Sequence, residues 1–432
     1  MLTEFLSPNV DSPATDYRPP RATLNIIIWC VICLPAPYLS STAYAGQTIE
    51  DVLRGVAQTA DVEVASAKTE TARAELDQTL SQKSPNITLD AQGEVVGDSD
   101  AGEPEYILRV EQTLFDWGRS DEAIVGRRSL VGASASGERE ALLDAALRSV
   151  EAFFGIATAN QKLAINHANR QSLLDLREMI ERRVQSNVSP SVELDEVVMR
   201  LDLLDITDER LSSERRRQQL AMRRLTGLQV DRPTVSRCMD DRLPDEESLI
   251  KGVLAVSPTL ERIRLEADAH SADARSLDAS GLPTLVAGYR SDSDFNGADF
   301  EQRAYLALRY QFQSGGELRS KVAAERARYL EQQAILRKEI ETITQTVSAW
   351  VSARSTSRSL VALYDRILNS KLRQKDSHLR RFLVGRSSWR DVLSAQQEIV
   401  DTQLSRVDSE MSACLAGASL DLMLGGIDVL GQ

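Results

Sequence analysis

Asp292, Ser293, Asp294, Asn296 and Gly297 follow the order in which a calcium loop offers its oxygen ligands and then its turn glycine. Such a loop needs a bidentate glutamate at its twelfth position and a helix after it. Here the twelfth residue is Arg303 and an alternating, strand-like run follows, so calcium is set aside. His167, His270 and His378 lie far apart in the chain, without metal-ligand spacing, and surface or packing roles are expected for them. The sequence holds no glycine-rich phosphate loop and no nucleophile elbow. The expectation is therefore a protein that is not an enzyme, with no catalytic, cofactor-binding or metal-binding residues.

The elements around these residues explain the absence of chemistry. Arg18 and Arg21 precede the apolar run Ile26–Leu34, and small residues end at Ala43-Tyr44-Ala45. A charged flank, an apolar core and an Ala-x-Ala site read as a signal peptide over 1–45. Cys30 and Cys33 leave with it, and no cysteine follows Ala45 to carry a lipid anchor. Cys238 and Cys414 remain; export permits a disulfide between them, and two separate buried thiols satisfy the sequence equally. The formal charge of −13 argues against nucleic acid, which needs a clustered basic surface. Aromatics at 5% are too few for several compact cores, whereas charged residues at 27% suit long helices.

The chain alternates between two periodicities. Helical spacing runs from Thr48 to Gln82 and stops at Ser84-Pro85. Ile87, Leu89 and Ala91 then alternate with polar residues, as do Tyr106, Leu108, Val110 and Leu114, which predicts a β-hairpin over 86–115. After Gly118 a helix is predicted over 120–187, about 100 Å long, broken at Ser189-Pro190-Ser191 and resumed over 191–225. Residues 227–245 read as a linker. The plan then recurs over 246–427: helix, hairpin 284–312, long helix 317–384, a break at Gly385-Arg386, helix 388–424, and a tail at 428–432. Asp292 to Gln302 reads as the polar turn of the second hairpin. Pro85 and Pro283 are 198 positions apart, and Phe115 to Phe312 and Gly118 to Gly315 each 197, so the chain is a duplication. In the last helix Leu393, Val400, Val407 and Cys414 repeat every seven residues, a coiled-coil seam.

Hairpins with arms of about ten residues fit tilted strands crossing a bilayer, and the alternation alone fits a soluble hairpin capping a helical bundle equally well. Four strands cannot close a barrel, and an open sheet edge is forbidden in lipid, so an embedded sheet must be shared between subunits. Tyr106, Phe115, Trp117, Tyr289, Tyr305, Tyr310 and Phe312 cluster at these strands and read as interfacial girdles, with Trp117 as an interface anchor.

The junction Phe115-Asp116-Trp117-Gly118-Arg119, its echo at Phe312, Gly315 and Gly316, the duplicated halves and the stretch Phe382–Ala395 resemble the TolC family of outer-membrane channels, over about Thr48 to Ile427. The resemblance implies a mainly α fold. Each chain would give four strands to a trimeric 12-stranded transmembrane β-barrel in outer-membrane lipid. The helices would form a coiled-coil periplasmic tunnel. It further implies a homotrimer that passes substrates outward, coupled through a periplasmic adaptor to an inner-membrane ABC or proton-driven pump, in efflux or type I secretion. Trp117-Gly118-Arg119 and the missing anchor cysteine lean toward secretion. In that frame Gly385 and Arg386, with Asn187 and Pro190 in the first half, form the tip turns. Asp391 falls where the family places a pore-narrowing acid, Ser394 where a second acid often sits, and Glu193 and Asp195 are their counterparts. Asp391 also suits the first turn of its helix through the dipole alone. The competing reading is a periplasmic coiled-coil adaptor or scaffold without a barrel, which is expected to carry a further lipoyl-like or barrel domain that this sequence lacks.

Overall fold

The computed structural model describes residues 47–92, 105–235, 244–294, 300–311 and 316–426. The leader, the first hairpin turn, Cys238, Phe312 and Gly315 lie outside these residues. The elements run α1 (Ile49–Gly55), α2 (Ala60–Ser81), β1 (Asn86–Gln92), β2 (Glu105–Phe115), α3 (Arg119–Gln185), α4 (Val192–Thr226), α5 (Glu246–Val256), α6 (Pro258–Ala279), β3 (Thr284–Asp294), β4 (Phe300–Arg309), α7 (Glu317–Leu383) and α8 (Trp389–Asp421).

Helix starts follow local capping chemistry. The single helix expected over Thr48–Gln82 is divided, because Thr59 takes extended backbone and its side chain accepts from Val62 N, capping α2. Ser257 caps α6 in the same way, with Pro258 at the first helical position. α3 and α7 each contain 67 residues and begin after a glycine in the left-handed conformation, Gly118 (φ 81°) and Gly316 (φ 79°). The structural counterpart of Gly118 is therefore Gly316, one residue later than the sequence alignment of the halves placed it.

Around α3 the helices form two rows. In its first half α2 packs on α3, α3 on α6 and α6 on α7; in its second half α4 packs on α3, α3 on α8 and α8 on α7. α7 stands at one edge of both rows, and α2 and α4 stand at the other. Large aromatic and aliphatic groups fill the second row: Trp389, Phe382, Leu173, Leu176 and Ile180 form one cluster. The heptad positions Leu393, Val400, Val407 and Cys414 are all buried, at 0–4% exposure, as a coiled-coil seam requires. Cys414 is disulfide-bonded, and its partner lies outside the described residues. None of the described helices is long and apolar enough to cross a membrane.

The strands form one antiparallel sheet in the order β1-β2-β3-β4. Ile87 faces Val110 and Leu89 faces Leu108; Val110 in turn faces Tyr289, and Leu306 and Leu308 face Ala287 and Leu285. Register partners share a face, so the alternation read in four separate strands adds up to one apolar surface. The second hairpin turn is shorter than expected, since β3 extends to Asp294 and β4 starts at Phe300. Asp292 thus lies in a strand and accepts from Arg290 (2.7 Å), with Arg303 3.7 Å away.

Candidate functional site: sheet faces, junction and helix tip

The sheet has two chemically different faces. On one, Ile87, Leu89, Leu306 and Leu308 are 67–71% exposed. On the other, Arg109, Arg290 and Arg303 stand opposite one another across three strands. Like charges in register repel; Asp292, Glu301 and Glu111 offset them by pairing with Arg290, Arg303 and Arg309. Arg109 alone of the row forms no hydrogen bond or ion pair among the described residues. Tyr305 also lies on this polar face, and its hydroxyl donates to Glu111 Oε1 at 2.6 Å. The expected place of Tyr305 in an aromatic girdle is thereby corrected: its register puts it on the side opposite Leu306 and Leu308.

At the junction, a register shift between Thr113 and Phe115 ends the ladder. Phe115 and Trp117 meet edge to face at 5.0 Å. Trp117 has φ 59°, uncommon for a bulky residue, and its indole nitrogen donates to Pro283 O at 2.8 Å. Pro283 immediately precedes β3, so this bond ties the first repeat's junction to the second repeat's hairpin. Asp116 accepts from Ser120 N at 2.9 Å and from its hydroxyl, capping α3 where Gly118 offers no side chain. Trp117 thus has a hydrogen-bonding task that the sequence reading missed, because Pro283 is 166 residues away.

The tip residues gather at the opposite end of α3 and α7. Asn187 (φ 55°) and Gly385 (φ 73°) both take the left-handed conformation. After each, the next amide reaches back to close a helix end: Val188 N to Arg183 O and Arg386 N to Arg381 O, both 2.8 Å. Asn is the residue after Gly that tolerates this conformation best, which explains how Asn187 stands in for a glycine. Pro190 follows and its carbonyl accepts from Glu193 N at 3.2 Å.

The two turns are fastened together. Trp389, 2% exposed, donates from its indole to Glu193 O at 3.0 Å and stacks on Phe382, whose other neighbour is the Arg183 guanidinium at 4.9 Å. Arg390 pairs with Glu196 at 3.3 Å. Asp391 is exposed, yet it is also the capping-box partner of Ser388: it accepts from Ser388 N at 3.0 Å and Ser387 Oγ at 2.9 Å. Hydrogen bonds from the Ser388 side chain, then Ser387, hold its carboxyl below the ordinary carboxylate value. Glu193 carries a buried Oε2 with no hydrogen-bond partner among the described residues, Asp195 is exposed and Ser394 half-buried. The four candidate constriction residues therefore share one end of the bundle.

Two of the histidines have polar neighbours. His378 Nδ1 lies 3.2 Å from Ser387 Oγ. His270, for which a surface or packing role is expected, meets Asp273 and Glu325 in a cluster of ligand atoms within 4.8 Å of one another. Its His-x-x-Asp half sits on one helix face and was legible; the glutamate comes from another helix and was not.

Residues 249–426 match the model of the outer membrane efflux protein family. No curated protein sequence matches significantly. Among solved structures, the chain is similar to CusC at TM-score 0.79 and 16% identity, covering 88% of this chain and 92% of that one. It is similar to VceC from Vibrio cholerae at 0.76 and 16%, covering 87% and 96%. It is similar to the Campylobacter jejuni outer membrane channel CmeC at 0.76 and 15%, covering 88% and 85%. At such identities the likeness is one of fold. By sequence the second repeat resembles the outer membrane efflux protein family, and the whole described chain shares the fold of these solved structures.

Proposed function

We propose that the protein is a trimeric outer-membrane channel-tunnel. It would give substrates of an efflux or type I secretion system an exit path, with the sheet in outer-membrane lipid and the helices in the periplasm. One observation carries this reading: a four-stranded sheet with an exposed leucine and isoleucine face, a charged opposite face, and both edge strands, β1 and β4, unpaired. In lipid such edges must be closed, and a rotational arrangement pairs β4 of one chain with β1 of the next. The helical rows support the same closure, because α7 would meet α2 and α4 of the neighbour. Exposed Met199, Leu203 and Ile206 on α4 and Leu363 and Ile367 on α7, at helical spacings, supply apolar surface for it.

The protein does no chemistry in this reading; it couples through a periplasmic adaptor to an inner-membrane ABC or proton-driven pump, and the fastened tip turns are the end that would meet that machinery. The alternative of a soluble periplasmic scaffold leaves the apolar sheet face without a partner. Membrane fractionation with native mass spectrometry tests the proposal. Outer-membrane protein that resists carbonate extraction and flies as a trimer from detergent supports it; a carbonate-released monomer refutes it.

A further inference from the structure

Asp273 is a carboxylate with an unusual environment. It sits half-buried on α6, against Gly126 of α3, where a Cβ would stand only 2.8 Å from Asp273 Oδ1. No hydrogen bond or ion pair reaches it among the described residues, although Arg127, His270 and Arg328 are close enough to act on its charge. Arg127, the nearest cation of α3, is drawn toward Glu75 of α2 at 3.5 Å. One turn back on the same face of α6 is His270, and across the helix contact is Glu325 of α7. His270 Nδ1 and Glu325 Oε2 are 2.9 Å apart. That is a hydrogen-bond distance; two ligands each about 2.0–2.1 Å from a tetrahedral ion stand about 3.3 Å apart, so only a small spreading would let the pair share one ion. Arg328 holds the other oxygen of Glu325, Oε1, which fixes the carboxylate and leaves Oε2 for the cluster.

We propose that His270, Asp273 and Glu325 form a binding site for a divalent transition-metal cation that clamps α6 to α7. One imidazole nitrogen and two carboxylate oxygens suit a borderline ion such as Zn2+, Ni2+ or Cu2+ better than Ca2+ or Mg2+, which prefer all-oxygen sets. The ion would complete the contact that Asp273 lacks. Since α6 leads into β3 and α7 starts a short way before Glu325 in the chain, the clamp lies toward the sheet end of the helices, which on the proposed channel reading is the barrel side of the tunnel.

The test uses the full mature protein without a histidine tag, stripped by a chelator. Zn2+ titration by calorimetry is expected to give one ion per chain, with affinity reduced more than about 100-fold in Asp273→Asn and in His270→Ala, beyond the 10–100-fold that loss of an outer-shell partner costs. Cu2+ bound at one equivalent is expected to show coupling to a single nitrogen by electron paramagnetic resonance. That coupling should vanish in His270→Ala and persist in His167→Ala and His378→Ala. Where the alanine form fails to assemble, His270→Gln replaces it, since it keeps a polar group beside Glu325 without an imidazole ligand. Absence of Zn2+ binding to the wild type, or nitrogen coupling that survives loss of His270, overturns the site.

Discussion

The Tyr305 hydroxyl donates to Glu111 across β3, passing directly over Gly288: a Cβ at Gly288 would lie 2.2 Å from Tyr305 Cζ. β3 thus carries a glycine where β2 and β4 clasp over it, an arrangement in which an aromatic ring covers a strand glycine. Tyr305→Phe is expected to lower stability by about 1 kcal/mol, the net value of one hydrogen bond. Gly288→Ala should cost more, and most of that excess should vanish in a Tyr305→Ser background. Urea or thermal unfolding of the detergent-solubilised protein checks both; a Gly288→Ala cost that is indifferent to Tyr305 would show that the ring is not the obstacle.

Arg109 lies in the arginine row without an acceptor of its own. In the proposed trimer this face would line the lumen, and a cation there without a hydrogen-bonded acceptor would attract anions. Arg109→Ala is expected to move the reversal potential in a salt gradient toward cation preference, while Arg303→Ala, which also frees Glu301, should move it further. Planar bilayers give the reading.

Asp391 serves the helix start and presents charge at the tip. Its folded pKa is depressed, so the stability it lends α8 is present above the unfolded value of about 3.9 and is lost as pH falls through the folded one. In a form with Trp29, Trp117 and Trp350 replaced by Phe, emission from Trp389 should stay flat from about pH 8 to 5 and change only below about 4. Asp391→Asn keeps a capping side chain and removes the charge. It should weaken block of conductance by multivalent cations, and unchanged block would mean that Asp391 only caps.

Trp389 fastens the tip through burial, the Phe382 contact and the bond to Glu193 O. Trp389→Ala is expected to destabilise by about 3–5 kcal/mol. Trp389→Phe should keep most of the packing and lose the hydrogen bond, at about 1–2 kcal/mol. Faster amide exchange over residues 187–196 in the Phe form, with the sheet unaffected, is the expected signature.

Asn187 and Gly385 offer a backbone comparison. No atom lies within 4 Å of a Cβ built on Gly385, so a substitution there meets only the cost of φ 73°. Gly385→Ala should cost about 1–2 kcal/mol and Gly385→Asn less, because Asn already occupies this conformation at position 187. Equal losses in thermal unfolding would contradict this account.

By itself the sequence determined the repeating plan. Period-two runs ended by Pro85 and Pro283, heptads in α8 and left-handed turn residues are local properties of the backbone and its nearest neighbours, and they can be read along the chain. Only the tertiary structure decided which partners meet across long separations. Trp117 finds Pro283, Tyr305 leaves the girdle for Glu111, Trp389 finds the Glu193 carbonyl, and His270 meets Glu325. Each of these depends on strand register or helix rotation. Both are set by packing of whole elements against one another, and a shift of one residue in either would turn the side chain to another face.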